Sequence, residues 1–210
     1  MKILRIIVAV LFCNQNFAQE TFPVNGVAEN FNPIYAFKNA NITTSPGVEY
    51  KNGILLIQGD KVLAIDSNIN IPEGSIIFDL NGDYIYPSFI DLYSNYGLPK
   101  VKKNKRHNYI PQYNSNKAGA YHWNQAIHPE INASDKFSSK HKHAKSYLSN
   151  GFGTVLTHVK DGIFRGSGAL VALSKKSDNE NLLIKNCAAL YSFKKGSSIQ
   201  KKPTSLMGSI

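Results

Sequence analysis

The chain has 210 residues, of which 42% are hydrophobic and 18% are charged, and its formal net charge at pH 7 is +10. This is the composition of a globular protein, and it excludes a chain that is disordered throughout. The length suits one large domain or two small ones. Basic residues concentrate in residues 100–109 and 193–202, where they either bind anionic polymers or cover solvated loops.

Residues 1–18 are predicted to be a signal peptide. Lys2 and Arg5 precede the apolar run 6–12, and a short polar stretch follows, as in a secretory signal. The apolar run is too short to cross a bilayer as a helix, so we expect no stable membrane span. We therefore predict an exported protein, periplasmic or extracellular, with an N-terminal linker over residues 19–34.

Export restricts the roles of the remaining cysteine and of the basic segments. Removal of the signal peptide leaves Cys187 as the single cysteine, which excludes an internal disulfide and a zinc site built from cysteines. An exported protein rarely meets nucleic acid, so we interpret both basic segments as solvated loops and expect no nucleic-acid partner. Whether residues 100–109 bind another anionic partner stays open.

Residues 35–90 have the pattern of short strands joined by tight turns. A first strand is predicted within residues 35–43, and residues 53–66 form two apolar runs around a Gly-Asp pair, which is typical of a hairpin. A second turn is predicted at residues 81–83. Because no helical period is present, we expect a small β-sandwich over residues 35–90.

Residues 91–210 show a different pattern. Residues 99–133 are rich in Asn, Lys, Tyr and Gly with weak periodicity, which indicates a long loop over the surface. Residues 134–149 suit a helix and residues 152–159 a strand, and this order is the second half of a βαβ unit. Further elements are expected as strands in 169–174 and 181–193 and as a helix from residue 204 or 205.

The segment YIYPSFIDLYSNYG, residues 84–97, resembles the metal-site segment of the amidohydrolase superfamily, in particular exported imidazolonepropionase-like amidohydrolases. Members carry a segment of the type P-G-x-I-D-x-H-x-H. Pro87, Ile90 and Asp91 match this pattern, whereas Ser88 replaces the glycine. The glycine-aspartate hairpin upstream and the strand GFGTVLTHV downstream are also similar to elements of this family.

The resemblance implies a mixed α/β fold. A small N-terminal β-sandwich, here residues 35–90, would lead into a (β/α)8 TIM-type barrel. Residues 91–210 would then form the first part of an incomplete barrel, with the long loop at 99–133. In such a barrel the side chains at the carboxyl ends of the strands face the active site.

The two histidines of the family motif, which hold a divalent metal such as zinc, would fall at Tyr93 and Asn95. Residues two apart on a strand point to the same side, so two histidines there could share one ion. A neutral phenol is a weak ligand, and an amide oxygen suits harder ions than zinc. We therefore expect no metal or other cofactor in this chain and assign no catalytic residue. By the resemblance, the remaining family ligands come from later strands, beyond residue 210.

Three polar residues are candidates for a pocket rim at the strand ends. Asp91 lies on the strand that carries Tyr93, and His158 and Asp161 follow the predicted strand 152–159. If both strands belong to a barrel, Asp91, His158 and Asp161 lie at the mouth of the active site. The alternative is a polar strand end without a chemical role.

Other histidines offer weaker candidates. Residues 141–143 read His-Lys-His, but on a helix residues two apart point in nearly opposite directions, so we interpret them as a solvated basic face. His122 and His128 flank an aromatic segment around Trp123 and could line a binding loop. The alternative for this pair is an ordinary aromatic cluster in a loop.

Three functions remain open at this point, and whether the chain is itself an enzyme is uncertain. The first is the N-terminal part of an exported amidohydrolase-like protein, whose family hydrolyses C–N bonds of non-peptide amides, with this chain alone inactive. The second is a non-catalytic accessory or ligand-binding module built on the same frame. The third is a basic surface-binding protein. The sequence ends in mid-pattern, so the rest of a longer chain is an expected partner beside an unidentified small molecule.

Overall fold

The computed structural model describes residues 32–102, 111–119, 121–139 and 143–209. The chain forms two compact units, one up to Tyr86 and one from Pro87 onward. The predicted signal peptide lies outside the described residues, as does most of the basic segment 100–109. None of the described helices is long and apolar enough to cross a membrane.

The described residues of the first unit form one five-stranded sheet. Its strands are β1 Ile34–Ser45, β2 Val48–Gln58, β3 Lys61–Asp66, β4 Ile76–Asp79 and β5 Tyr84–Ile85. The order is β3-β2-β1-β4, and β5 pairs with β1 as well. The expected β-sandwich needs a second sheet, which residues 32–86 do not form, because β4 and β5 both add to the same edge of β1 in parallel.

The predicted turns of this unit are confirmed. Gln58 pairs with Lys61, so Gly59 and Asp60 make a two-residue hairpin turn with Gly59 at φ 60°. The turn at residues 81–83 is fixed to β1 by main-chain hydrogen bonds, among them Gly82 N to Asn39 O at 2.7 Å. The core of the unit is a small buried cluster of Ala40, Ile42 and Leu55.

The second unit contains a four-stranded sheet in the order β6-β7-β8-β9. The strands are β6 Phe89–Ser94, β7 Phe152–Thr157, β8 Phe164–Ala172 and β9 Leu182–Tyr191. The described helices are α1 Ala144–Ser149 and α2 Asp178–Asn181, with short 3-10 turns at Ser134–Lys136 and Met207–Ser209. Strand β6 pairs with β7 in parallel, and the long connection between them contains α1, as a βαβ crossover requires.

The expected barrel is not continued by β8 and β9, which are antiparallel to their neighbours. A TIM-type barrel has only parallel strands. The connection from β7 to β8, residues 158–163, is too short for the dozen or more residues that a parallel crossover needs, so the chain must turn back directly. The predicted strands 169–174 and 181–193 are present, but β8 already begins at Phe164.

The predicted helix over residues 134–149 is wrong for most of its length. Tertiary contacts hold the residues after the 3-10 turn in an extended form, because Ser138 N donates to Gly97 O at 2.9 Å and Ser139 N donates to a carboxylate oxygen of Asp178 at 2.6 Å. The helical conformation returns only at Ala144. The helix expected from residue 204 or 205 is reduced to the last 3-10 turn.

The core of the second unit lies where β6, β7 and β8 meet the segments around Leu98 and Ile131. Its buried members are Tyr96, Leu98, Ile131, Ala133, Phe137, Val155, Val159, Ala169, Val171 and Leu173. Burying a side chain such as Val155 contributes about 1.5–3 kcal/mol to stability. Part of the predicted surface loop 99–133 therefore belongs to the core, and Asn132 even forms a bridge with Ser167 on β8.

Gln200 fixes the described part of this loop. Its side chain is 1% exposed. It accepts a hydrogen bond from Gln125 N at 2.6 Å and donates to Tyr113 O at 2.7 Å and to Trp123 O at 3.0 Å. One side chain thus satisfies three main-chain groups of a segment without regular secondary structure.

Replacing Gln200 by alanine is expected to destabilise the second unit by about 2–4 kcal/mol, because three hydrogen bonds are lost and buried main-chain groups remain unpaired. Residues 111–125 should become more sensitive to limited proteolysis. Gln112→Ala is the matched control, since the Gln112 side chain donates only to the nearby Asn114 O. Equal urea unfolding curves for the two variants would contradict this role of Gln200.

Candidate functional site

The parallel pair β6 and β7 brings two sequence-predicted positions together. Tyr93 lies near the end of β6, and His158 follows directly after β7. His158 N donates to Ser94 O at 3.0 Å, which extends the pairing of the two strands. The Tyr93 and His158 rings meet edge to face, with centroids 4.9 Å apart. Carboxyl ends of parallel strands meet at one edge of a sheet, and this contact is the result.

Arg165 on β8 completes this cluster. One guanidinium nitrogen, Nη1, donates to Tyr93 Oη at 2.9 Å and lies 3.1 Å from His158 Nε2. The Nε–H donates to Gly162 O at 3.4 Å, and the side chain is only 5% exposed. Because β8 runs antiparallel to β7, its first residues lie beside the last residues of β7. Arg165 was not a sequence candidate, although it is the one charged residue between positions 162 and 174.

Lys160 adds a second cation. Its Nζ donates to Tyr93 O at 2.8 Å and lies 4.2 Å from the centroid of the Tyr93 ring. The Arg165 Cζ lies 5.7 Å from the same centroid. The hydrogen bond from Arg165 holds the pKa of the Tyr93 phenol below its usual value, and the charges of Lys160 and Lys194 act in the same direction.

His158 is neutral at pH 7. Its side chain is fully buried, and burial together with the charges of Arg165 and Lys160 lowers its pKa to about 4. Since Nε2 faces a guanidinium donor, Nε2 is the acceptor and the ring proton resides on Nδ1. No described residue accepts a hydrogen bond from Nδ1.

The other predicted positions on β6 are separated. Asp91 accepts a hydrogen bond from Tyr93 N at 2.9 Å, and its charge acts weakly on His158. Asn95 comes after the last residue of β6, is exposed, and makes no side-chain hydrogen bond to the described residues. Tyr93 and Asn95, the two positions of the family motif, therefore do not converge on one point in the described structure.

Asp161 serves a different contact from the one predicted. Its carboxylate accepts hydrogen bonds from Ser197 N at 2.5 Å and Ser197 Oγ at 2.6 Å, which ties the β7–β8 connection to the segment after β9. One carboxylate oxygen also lies 4.0 Å from Nε2 of the buried His128, whose Nδ1 is 3.2 Å from Glu130. Sequence analysis placed His128 in an aromatic loop cluster, but the chain brings it to Asp161.

The remaining histidine candidates form no shared site. His122 lies against Trp123, with ring centroids 5.6 Å apart, and accepts a hydrogen bond from Asn124 N at 3.1 Å. Of residues 141–143, only His143 is described, and it precedes the first turn of α1. These positions give no reason to change the interpretation as local structure.

The residues at the strand ends do not fit a divalent metal ion. Among the described residues, no group of three or more His, Cys, Asp or Glu side chains could hold one. More directly, the two donor atoms that a metal would need, Tyr93 Oη and His158 Nε2, both face the guanidinium of Arg165. A permanent cation within 3.1 Å of the imidazole nitrogen repels a second cation at the same place.

Comparisons with known proteins give a match in structure alone. No protein-family model and no curated protein matches the sequence. The crystal structure of an amidohydrolase from Thermotoga maritima MSB8 matches with a TM-score of 0.61 at 21% sequence identity, over 83% of this chain and 44% of that one. The chain shares its fold with part of this amidohydrolase. It spans less than half the length of that protein.

Two further matches are local. A dihydropyrimidinase from Brevibacillus agri NCHU1002 has 27% identity over 32% of this chain and 14% of that one, with a TM-score of 0.28. A prolidase complexed with N-methylphosphonate-L-proline has 17% identity over 58% of this chain and 25% of that one, with a TM-score of 0.32. Superpositions of this quality do not extend the fold match.

Proposed function

We propose that the chain is the N-terminal part of an exported amidohydrolase-like protein and that this part alone does not hydrolyse amides. The fold match to an amidohydrolase supports the first statement, together with the segment around Pro87 and Asp91 that resembles the family's metal-site motif. The family reaction, metal-dependent hydrolysis of C–N bonds in non-peptide amides, would then depend on residues after position 210.

The observation that carries the second statement is the place of the Arg165 guanidinium. It bonds Tyr93 Oη and lies against His158 Nε2, so the strand ends present a cation instead of ligands for one. Catalysis by a metal ion needs a protein site that fixes the ion and leaves a position open for water or substrate. The described residues provide neither feature, and we derive no hydrolytic step for them.

Metal content and turnover test this proposal. After incubation with zinc and exhaustive dialysis, we expect the purified chain to retain far less than one zinc ion per molecule. It should not hydrolyse linear or cyclic non-peptide amides. The double variant Tyr93→His with Asn95→His should still retain little zinc, because Arg165 remains in place. Tyr84→His with Tyr86→His, an exposed pair with the same spacing, controls for zinc held by any surface pair. Stoichiometric zinc together with turnover by the unmodified chain would overturn the proposal.

The second candidate function is a non-catalytic ligand-binding or accessory module. It is supported by the combination of a buried cation, Arg165, with an exposed neighbour, Tyr93. Binding of a small molecule without turnover separates this candidate from the first. Sequencing the gene past codon 210 adds an independent test, since an intact H-x-H unit further along would make the present residues an accessory half of an enzyme.

A further inference from the structure

Arg165 is a buried charge without a counter-ion in the described structure. The guanidinium is permanently protonated and 5% exposed. The ion pairs among the described residues join Lys38 to Asp79 and His128 to Glu130 and Asp161, and Arg165 takes part in none of them. Its described partners are Gly162 O, the Tyr93 phenol and the neutral His158 ring. Burying a charge against neutral groups alone is unfavourable, which points to an anion from outside the described residues.

The hydrogen-bonding groups left free in this cluster are donors. The two N–H groups on Nη2 of Arg165 have no acceptor among the described residues. The Tyr93 oxygen accepts from Arg165, so its own O–H proton is available. Lys160 uses one of its three N–H groups on Tyr93 O. A ligand that satisfies these groups must carry acceptors and no donors at its contact atoms.

The local charge favours an anion with one negative charge. Arg165 and Lys160 lie within 6 Å of the centroid of the Tyr93 ring, and Lys194 is near enough to act on the phenol. On the opposite side of the balance, Asp91 on the same strand bonds Tyr93 N and acts on His158. Its carboxylate repels a second negative charge, so a dianion gains less than a monoanion.

Access to the cluster is through Tyr93, whose side chain is 57% exposed. The ring offers a flat apolar surface beside the cations. An organic anion can therefore place its charged group on the donors and its body against the ring.

We propose that Arg165, Lys160 and Tyr93 form a binding site for a small organic monocarboxylate, in which the Arg165 guanidinium stands at the strand ends in place of a metal ion. This inference specifies the ligand class of the second candidate function. It does not depend on amide hydrolysis, because binding alone is measured. A metal assay and a carboxylate titration can therefore fail separately.

Calorimetric titration of the purified chain with benzoate and with its neutral analogue benzamide tests the charge requirement. Both probes have the same ring, so only the carboxylate differs. At constant ionic strength and pH 7, benzoate is expected to bind at least about tenfold more tightly than benzamide. Equal binding of the two, or no binding of benzoate, would overturn the site.

Three variants test the residues. Arg165→Gln, Lys160→Gln and Tyr93→Phe should each weaken benzoate binding by about tenfold or more, through loss of a charge or of the phenol proton. Lys185→Gln on β9 removes the same charge as Lys160→Gln from an exposed position of the same unit and should leave binding unchanged. Because Arg165 is buried and its variant could fail to fold, the half-buried Lys160 and the exposed Tyr93 decide the outcome. Unchanged binding in both would refute the assignment.

Inorganic phosphate is the second probe. It shares the oxyanion chemistry but carries more charge and no apolar body. We expect phosphate to bind less tightly than benzoate under the same conditions. Tighter binding of phosphate that depends on Lys160 would show a phosphate site and overturn the assignment to carboxylates.

Discussion

Replacing Gly162 by alanine is expected to destabilise the second unit by about 1–3 kcal/mol more than replacing Gly151 by alanine. Both glycines have φ 83°, so the conformational cost of the added side chain is the same. A Cβ at Gly162 would lie 2.5 Å from Ala126 O and 2.7 Å from His128 Cδ2, whereas at Gly151 the nearest atom is 3.4 Å away. The difference between the variants therefore measures packing.

The chain provides a natural probe for this comparison. Trp123 is its single tryptophan, and it lies in the second unit, three residues before Ala126. Urea unfolding followed by tryptophan fluorescence gives the free energy of unfolding of each variant. Similar losses for Gly162→Ala and Gly151→Ala would show that the segment around Ala126 can move away, and would contradict the close packing described above.

Acid should weaken the second unit through His158. The imidazole has an ordinary pKa of 6.5 in the unfolded chain and a pKa of about 4 in the folded protein. Above pH 6.5 both states are neutral and the full contribution is present. As the pH falls from 6.5 to 4, the unfolded state takes up a proton and the folded state does not, so stability is lost. The shift corresponds to about 3 kcal/mol between pH 7 and pH 4.

The variant His158→Gln isolates this contribution, because it keeps a hydrogen-bond acceptor for Arg165 and cannot titrate. Unfolding curves at a series of pH values should show a smaller loss for His158→Gln than for the unmodified chain, by about 3 kcal/mol over this range. Carboxylates and other histidines titrate in both proteins and cancel in the comparison. Parallel pH profiles would mean that the folded state protonates His158 without difficulty.

Features governed by neighbouring residues could be predicted from the sequence. The hairpin at Gly59 and Asp60 depends on a two-residue turn, which local residue types determine. The meeting of Tyr93 and His158 follows from one rule, that the ends of parallel strands lie together, once both strands are recognised. These predictions needed no knowledge of distant contacts.

Features set by distant contacts could not be predicted. The helix over residues 134–149 failed because Ser139 is held by Asp178, which is 39 residues away along the chain. The pocket-rim role of Asp161 is likewise unsupported in the described structure, since its carboxylate is occupied by Ser197. The barrel expectation overlooked the short connection between β7 and β8, although its length was visible in the sequence.

Arg165 was missed for a related reason. Its contact with Tyr93 spans 72 residues, and no spacing in the sequence indicates it. The direction of β8 decides it, because only an antiparallel strand brings position 165 to the ends of β6 and β7. An unpaired arginine within a run of small and apolar residues is the one sequence signal that marked this position.

The direct return of β7 into β8 also implies an order of events during folding. His158 and Arg165 are seven residues apart and meet within one hairpin, so closing their loop costs little chain entropy. Tyr93 must be brought from 72 residues away, after the crossover through α1 has formed. Local contacts form faster than distant ones. The histidine–arginine pair is therefore in place first, and the tyrosine closes over a guanidinium that is already oriented.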